Sequence, residues 1–359
     1  MNHKDSSWIG ASAFSTIVFI IIISLGILFT SLIFIIRNMQ LTVISADQPP
    51  EGLLYASSLS ADLLPAVFIG LSMPENSRHD ALFHDIQTRV ARFNTTNGTS
   101  FTVQLSSLSD RLNVNSIDYR LLDSEAARQY LPSNFDPEFF RDYREETGFT
   151  TNIDLYEPIF RDAIESAMFT GYGYFNINVS YPESVGDLAL YRTGDGNFAA
   201  NVIDDINDKL RTGTLWEQSD VNQLFQSYVQ DMHSLAGTRP MMNVNFISAE
   251  ALHTVLFYEY GREAIEEFRT AENEILLLRE RQVIDANLLS DILQMEKVKE
   301  DHPLAERILS HLGTISWFWK LKVENENGQG MEYIFFRHQI DDNNVKFQII
   351  GQQTLVPLN

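Results

Sequence analysis

The chain has 359 residues, with 26 Lys and Arg against 48 Asp and Glu, a net charge of −22, and no Cys. A hydrophobic fraction of 44% is enough to bury a sizeable core, so wholesale disorder is excluded. The negative field repels phosphate and argues against a nucleic-acid reader. The lack of Cys excludes disulfide scaffolds, thiolate zinc sites, iron–sulfur clusters and Cys nucleophiles.

The dominant segment is Phe14 to Ile36, 23 residues without a charge. As a helix it would span roughly 34 Å, enough for a hydrocarbon core of about 30 Å. Lys4 and Asp5 precede it and Arg37 follows it. The stretch is longer than the apolar part of a cleaved secretory signal, and the residues after it make a poor cleavage site. It therefore predicts a retained transmembrane anchor, with the rest of the chain on one side of the membrane. The polar leader MNHKDSSWIG ends in Gly10 directly before the anchor, an arrangement that resembles a prepilin-type leader. Cleavage between Gly10 and Ala11 would leave the anchor on the mature chain, with Ser15 at the fifth mature position.

Pro49-Pro50 interrupts any helix that continues from the anchor. Leu53 to Met73 is apolar and predicts a kinked helix packed on another element; Asp62 and Pro65 disfavour a second span. Asp80 to Phe93 reads as a short amphipathic helix, with Leu82, Ile86 and Val90 on one face. Asn94 to Ser100 reads as a polar turn. It carries glycosylation sequons at Asn94 and Asn97, and Asn178 sits in a third.

From about Tyr119 to Gly237 the pattern is mostly helical, as at Tyr156 to Met168 and Asn201 to Leu210. Met168 to Tyr181 is aromatic and alternating, and fits a strand pair or an extended loop. Glu250 to Tyr260, Arg262 to Arg281 and Asp285 to Lys297 predict charged helices. They lead into an alternating C-terminus. Ser316 to Glu324, Met331 to Phe336 and Val345 to Gly351 predict a three-stranded antiparallel meander, turning at Asn327-Gly328 and at Asp341 to Asn344. Its apolar face requires a covering helix.

None of the common catalytic or nucleotide-binding patterns occurs. The His residues are scattered: His302 and His311 lack metal-ligand spacing, and His253 and Glu259 fall on different faces of one helix. These side chains are expected to be solvated or packed, and single replacements of them to matter little. Asp204-Asp205 with Asn207-Asp208, and Asp341 to Asn344, gather oxygen ligands, but neither follows an EF-hand pattern. No cofactor is expected, with calcium at one of these clusters as the alternative; any metal site is unassigned.

Two segments share a theme. Asp110-Arg111-Leu112-Asn113-Val114-Asn115 precedes a helix, and so does Met242-Asn243-Val244-Asn245 with Ser248 to Leu252 behind it. Each is a short β-segment whose last Asn is expected to cap the following helix. This pair resembles the Asn-rich turns that lead into and out of the inserted helical domain of the K-type minor pseudopilin of type II secretion systems (general secretion pathway protein K). Ser316-Trp317-Phe318-Trp319-Lys320-Leu321 stands where that family begins its closing strands.

The resemblance implies an α+β fold. A leader (1–10) would precede a transmembrane helix (11–37). A pilin-like domain (38–115 and 243–359), ending in an antiparallel β-meander, would carry a mostly helical insertion (116–242). Asn113, Asn115, Asn243 and Asn245 would be structural motif residues, and Gly10 and Ala11 the cleavage site. The implied function is non-enzymatic: a tip or initiation subunit of a secretion pseudopilus. Its partners would be other minor pseudopilins, inner-membrane components of the secretion system and prepilin peptidase. It would sit in the bacterial inner membrane as a single-pass protein with its bulk in the periplasm. The alternative is a single-pass ectodomain that binds an extracytoplasmic ligand or partner.

Overall fold

A computed structural model describes residues 51–73, 80, 91–94, 99–132, 135–160, 168–228, 232–233, 235–261, 265–293, 302–341 and 344–355. The expected leader with its Gly10–Ala11 bond, the anchor, and the Pro49-Pro50 break lie outside these residues. Contacts divide the chain into two compact units, Met1–Tyr55 and Ala56–Asn359.

The first described element is helix α1 (Glu51–Ser72), which runs on through Pro65. Within the larger unit Ala56, Ser60, Leu64 and Leu71 are buried, a stripe at the i, i+4 spacing of one helix face. Pro65, Ala66 and Ile69 are exposed. Leu53–Ser72 is long and apolar enough to cross a membrane. The burial of its Leu64–Leu71 stripe identifies the helix as one that packs by that face.

The C-terminal half of α1 meets an antiparallel sheet. In chain order its strands are β1 (Ala91–Asn94) and β2 (Ser100–Ser107), then, after the helical region, three more. Between them come β3 (Leu112–Asn113), α2 (Tyr119–Leu122), α3 (Glu125–Arg128), α4 (Pro137–Thr147), a 3₁₀ turn at Ile153–Tyr156 and β4 (Phe169–Thr170). The second stretch holds β5 (Phe175–Asn176), α5 (Pro182–Thr193), α6 (Gly196–Arg211), α7 (Gln218–Leu224) and β6 (Ala236–Gly237). The third holds β7 (Met242–Asn243), α8 (Ala249–Tyr260), α9 (Ile265–Arg279), α10 (Ala286–Leu293), α11 (His302–His311) and β8 (Leu312–Gly313). The chain then closes with β9 (Phe318–Asn325), β10 (Gly330–Asp341) and β11 (Asn344–Leu355).

The sheet order is β1-β2-β9-β10-β11, all antiparallel. The fold is α+β. The expected meander is present as β9 to β11, and β2 pairs with β9 to extend it. Alternation along β9 buries Trp319, Leu321 and Val323 while Lys320 and Lys322 stay half-buried, as a strand period of two demands. On the covered face the Phe68 ring of α1 stacks on Phe347 at 4.6 Å and meets Phe335 edge-on at 5.0 Å.

Two sequence expectations are corrected. Residues 91–93 form part of β1 instead of ending a helix, because they pair with Phe101 to Val103. The aromatic stretch from Met168 to Tyr181 is neither a strand pair nor a plain loop. Its two short strands each pair in parallel with a different distant segment.

The largest apolar core runs through Leu112 to Phe169 and Met241 to Leu312 together. A second core gathers Phe175, Ile177, α5, α6, Trp216 and Phe225. Ser116 Oγ and Met241 Sδ lie 3.9 Å apart, so the Asn115 and Asn243 junctions adjoin in space.

Candidate functional site

The predicted motif residues form a repeated polar structure. Asn113 Oδ1 accepts from the Asn115 backbone N–H at 3.0 Å, and Asn243 Oδ1 from that of Asn245 at 3.0 Å. This is an Asx turn, in which a short side chain replaces one backbone acceptor. The backbone carbonyl of the same Asn accepts from Ile117 N–H at 2.9 Å and from Ile247 N–H at 2.8 Å, which bends the chain towards the next helix.

The second Asn of each pair does not cap that helix. Asp118 and Ser248 do so, accepting from Arg120 N–H and Ala251 N–H. The cap lies three residues further on because the Asx turn and the turn closed by Ile117 or Ile247 come first. Asn115 instead reaches 35 residues ahead: its Oδ1 accepts from Thr150 N–H at 3.0 Å and its Nδ2 donates to Thr150 O at 2.7 Å. Asn245 grips Ile284 in the same way, at 2.8 Å and 2.9 Å. An amide side chain carries one acceptor and one donor group, so it can satisfy both the N–H and the C=O of one residue as a β-partner would. The clasped residue lies just ahead of a helix cap, Asn152 or Asp285.

A third copy of this device went unread in the sequence. Asn176 Oδ1 accepts from Asn178 N–H at 2.9 Å. Asn178 Oδ1 accepts from Trp216 N–H at 2.6 Å, and its Nδ2 donates to Trp216 O at 3.2 Å. The signal was available: Phe175-Asn176-Ile177-Asn178 repeats the apolar-Asn-apolar-Asn pattern of Met242-Asn243-Val244-Asn245. Asn178 is buried, so its sequon is consumed by the fold.

Each clasp opens one of three consecutive helical units, and each unit closes with a parallel two-residue bridge. Leu112–Asn113 pairs with Phe169–Thr170, Phe175–Asn176 with Ala236–Gly237, and Met242–Asn243 with Leu312–Gly313. The closing strand of one unit therefore lies just ahead of the opening Asn of the next. After Gly313 the same spacing reaches Trp319 in β9, and the chain passes from helical units into the sheet.

The three clasps differ in where the first Asn sends its Nδ2. Asn176 donates to Thr238 O, Arg239 O and Ser310 O, at 3.0–3.1 Å. Asn243 donates to Thr314 O, Ser316 Oγ and Asp80 Oδ2, at 3.0–3.1 Å. Asn113 Nδ2 is buried without a protein partner.

Two buried ionic groups flank the clasps. Asp80 and Arg337 are both fully buried and hydrogen-bonded to each other, and Arg337 Nη2 also donates to Leu71 O at the end of α1. Asp80 takes a left-handed backbone conformation, φ +53°. Burial pushes its carboxyl up. Arg337 on one oxygen, with Ser316 N–H and Asn243 Nδ2 on the other, favours the ionised acceptor. The second group is Glu259 with Arg307 and His311. Burial raises the Glu259 carboxyl, but the bonds from His311 and Arg307 outweigh it and hold the pKa at about 2.

His311 is buried, not solvated, and pairs with Glu259 across two helices, a contact that spacing along α8 alone could not reveal. His253 bonds to Glu272 at 2.9 Å and to Gln129 at 3.1 Å. The side chain of His302 lies outside the described residues. Asp204 and Asp205 lie on the exposed side of α6, and Asp208 pairs with Arg211. Among the described residues, no three His, Asp or Glu side chains group as a metal site.

No family model matches the chain, and no curated protein does. A solved structure does: a chain of the GspK-GspI-GspJ complex from the type 2 secretion system of enterotoxigenic Escherichia coli. The identity is 14% and the TM-score 0.39, over 83% of this chain and 94% of that one.

Proposed function

We propose that the chain is a membrane-anchored structural subunit of the K-type minor pseudopilin class, with Phe14 to Ile36 as its anchor and its bulk in the periplasm. The observation that carries this reading is the proximity of the Asn113–Asn115 and Asn243–Asn245 segments in space. The residues that bear the sequence resemblance share one geometry, and they adjoin where the helical region joins the antiparallel sheet. In this reading residues 116–242 are the helical insertion and the rest, from 38, the pilin-like domain. The protein acts without a cofactor and through its surfaces, meeting other minor pseudopilins and inner-membrane secretion components after prepilin peptidase has cut before Ala11.

The test is N-terminal sequencing of the protein recovered from inner membranes, with co-purification of partner pseudopilins. A mature chain starting at Ala11 is expected. A chain starting at Met1, or near Ala46, contradicts the reading. Replacing Gly26 by a bulky residue should impair assembly if anchors approach closely there.

A further inference from the structure

Of the three opening Asn side chains, only that of Asn113 leaves its amide donor without a protein acceptor. The equivalent groups on Asn176 and Asn243 each face three oxygens. Asn113 is 7% exposed, and its Oδ1 is fixed by the Asn115 N–H, so the amide cannot turn to exchange donor for acceptor without breaking the Asx turn. A buried donor left without an acceptor loses its solvation with nothing in return, and folded proteins meet almost all such groups.

The same cavity is lined by a second buried group of opposite need. His311, 3% exposed, binds Glu259 through Nε2 at 3.0 Å and has no protein partner at Nδ1. In the neutral ring Nε2–H donates to the carboxylate, which leaves a lone pair on Nδ1. The cavity they share measures about 10 Å³ and is bounded by Leu112, Ser116, Gly173 and Met241 among others. That is close to the volume that accommodates one water, about 10–15 Å³.

We propose that a single buried water molecule binds here, accepting from Asn113 Nδ2 and donating to His311 Nδ1. It takes the part that Ser310 O plays for Asn176, one residue away at the end of α11. The first and second helical units thus both dock their opening Asn on the C-terminal turn of α11, the second directly and the first through water. A bridging water is nearly as good as a direct bond when it finds two or more polar partners.

The test is diffraction from the full chain in detergent to about 1.8 Å, with ¹⁵N NMR of the His311 ring as a second measurement. One density peak within about 3.2 Å of both Asn113 Nδ2 and His311 Nδ1 is expected, with the ring proton on Nε2. A direct protein acceptor on Asn113 Nδ2, two nitrogens too far apart to share one water, or no peak between them overturns the proposal. So does a ring that carries its proton on Nδ1.

Discussion

The sheet and the helical units solve the same problem in opposite ways. In the sheet, β9 pairs with β2 on one side and β10 on the other, and the ladders satisfy its backbone along their length. The helical units have bridges only two residues long, so side-chain amides finish what backbone ladders cannot. Asn115, Asn178 and Asn245 each act as a one-residue strand towards Thr150, Trp216 and Ile284. A chain can therefore return to a distant point either through many weakly specified pairings or through one amide placed with both its groups in register. The second solution concentrates the energy on a few side chains.

The joint between the two regions should be the most sensitive point. Asp80→Ala would leave the Arg337 guanidinium buried beside Leu71 O and should cost about 3–5 kcal/mol, read by denaturant unfolding. A loss below about 1 kcal/mol would mean that the pair is solvated and does not hold α1 to the sheet.

Next come the clasps. Asn178→Ala and Asn245→Ala each strip the partners from both backbone groups of one residue, and each should cost about 2–4 kcal/mol. The two losses should agree within about 1 kcal/mol. A large loss at one and none at the other would break the equivalence of the units. Polar substitutions on the opposite, half-buried side of the sheet, such as Lys322→Gln, should fall within about 0.5 kcal/mol.

The Glu259 group adds a pH signature to the third unit. A carboxyl whose folded pKa is about 2, below its ordinary value of 4.5, stabilises the fold above pH 4.5. That stability should fade as the pH drops from 4.5 towards 2. Glu259→Gln should flatten the loss in this window, as measured by thermal unfolding against pH. An unchanged profile would show that the pair with His311 and Arg307 is not formed. A smaller effect than at the clasps is expected at Ser248→Ala, where losing one helix cap costs about 1 kcal/mol.

What could be read from the sequence follows the same division. The meander was legible because Trp317 to Val323 alternates and Asn327-Gly328 marks a turn, both local signals. The Asn pairs were legible as a pattern, yet their action was not, since Thr150 and Ile284 lie 35 and 39 residues from the side chains that hold them. The copy at Asn176 was hidden by the surrounding aromatics, which suggested a strand pair. The covering helix was expected from the bare apolar face, and Phe68 supplies the contact. Asp80 with Arg337, and Glu259 with His311, join residues too far apart in sequence for any spacing rule to connect.

Asn115, Asn178 and Asn245 each hold both backbone groups of one distant residue. Amide hydrogen exchange at Thr150, Trp216 and Ile284 tests it most directly. These amides lie outside helices and strands, so without a clasp they should exchange as loop residues do. The expected result is slow exchange at all three, with Asn178→Ala accelerating Trp216 while Thr150 and Ile284 stay protected. Loop-like exchange at these amides in the unmodified chain would contradict the account.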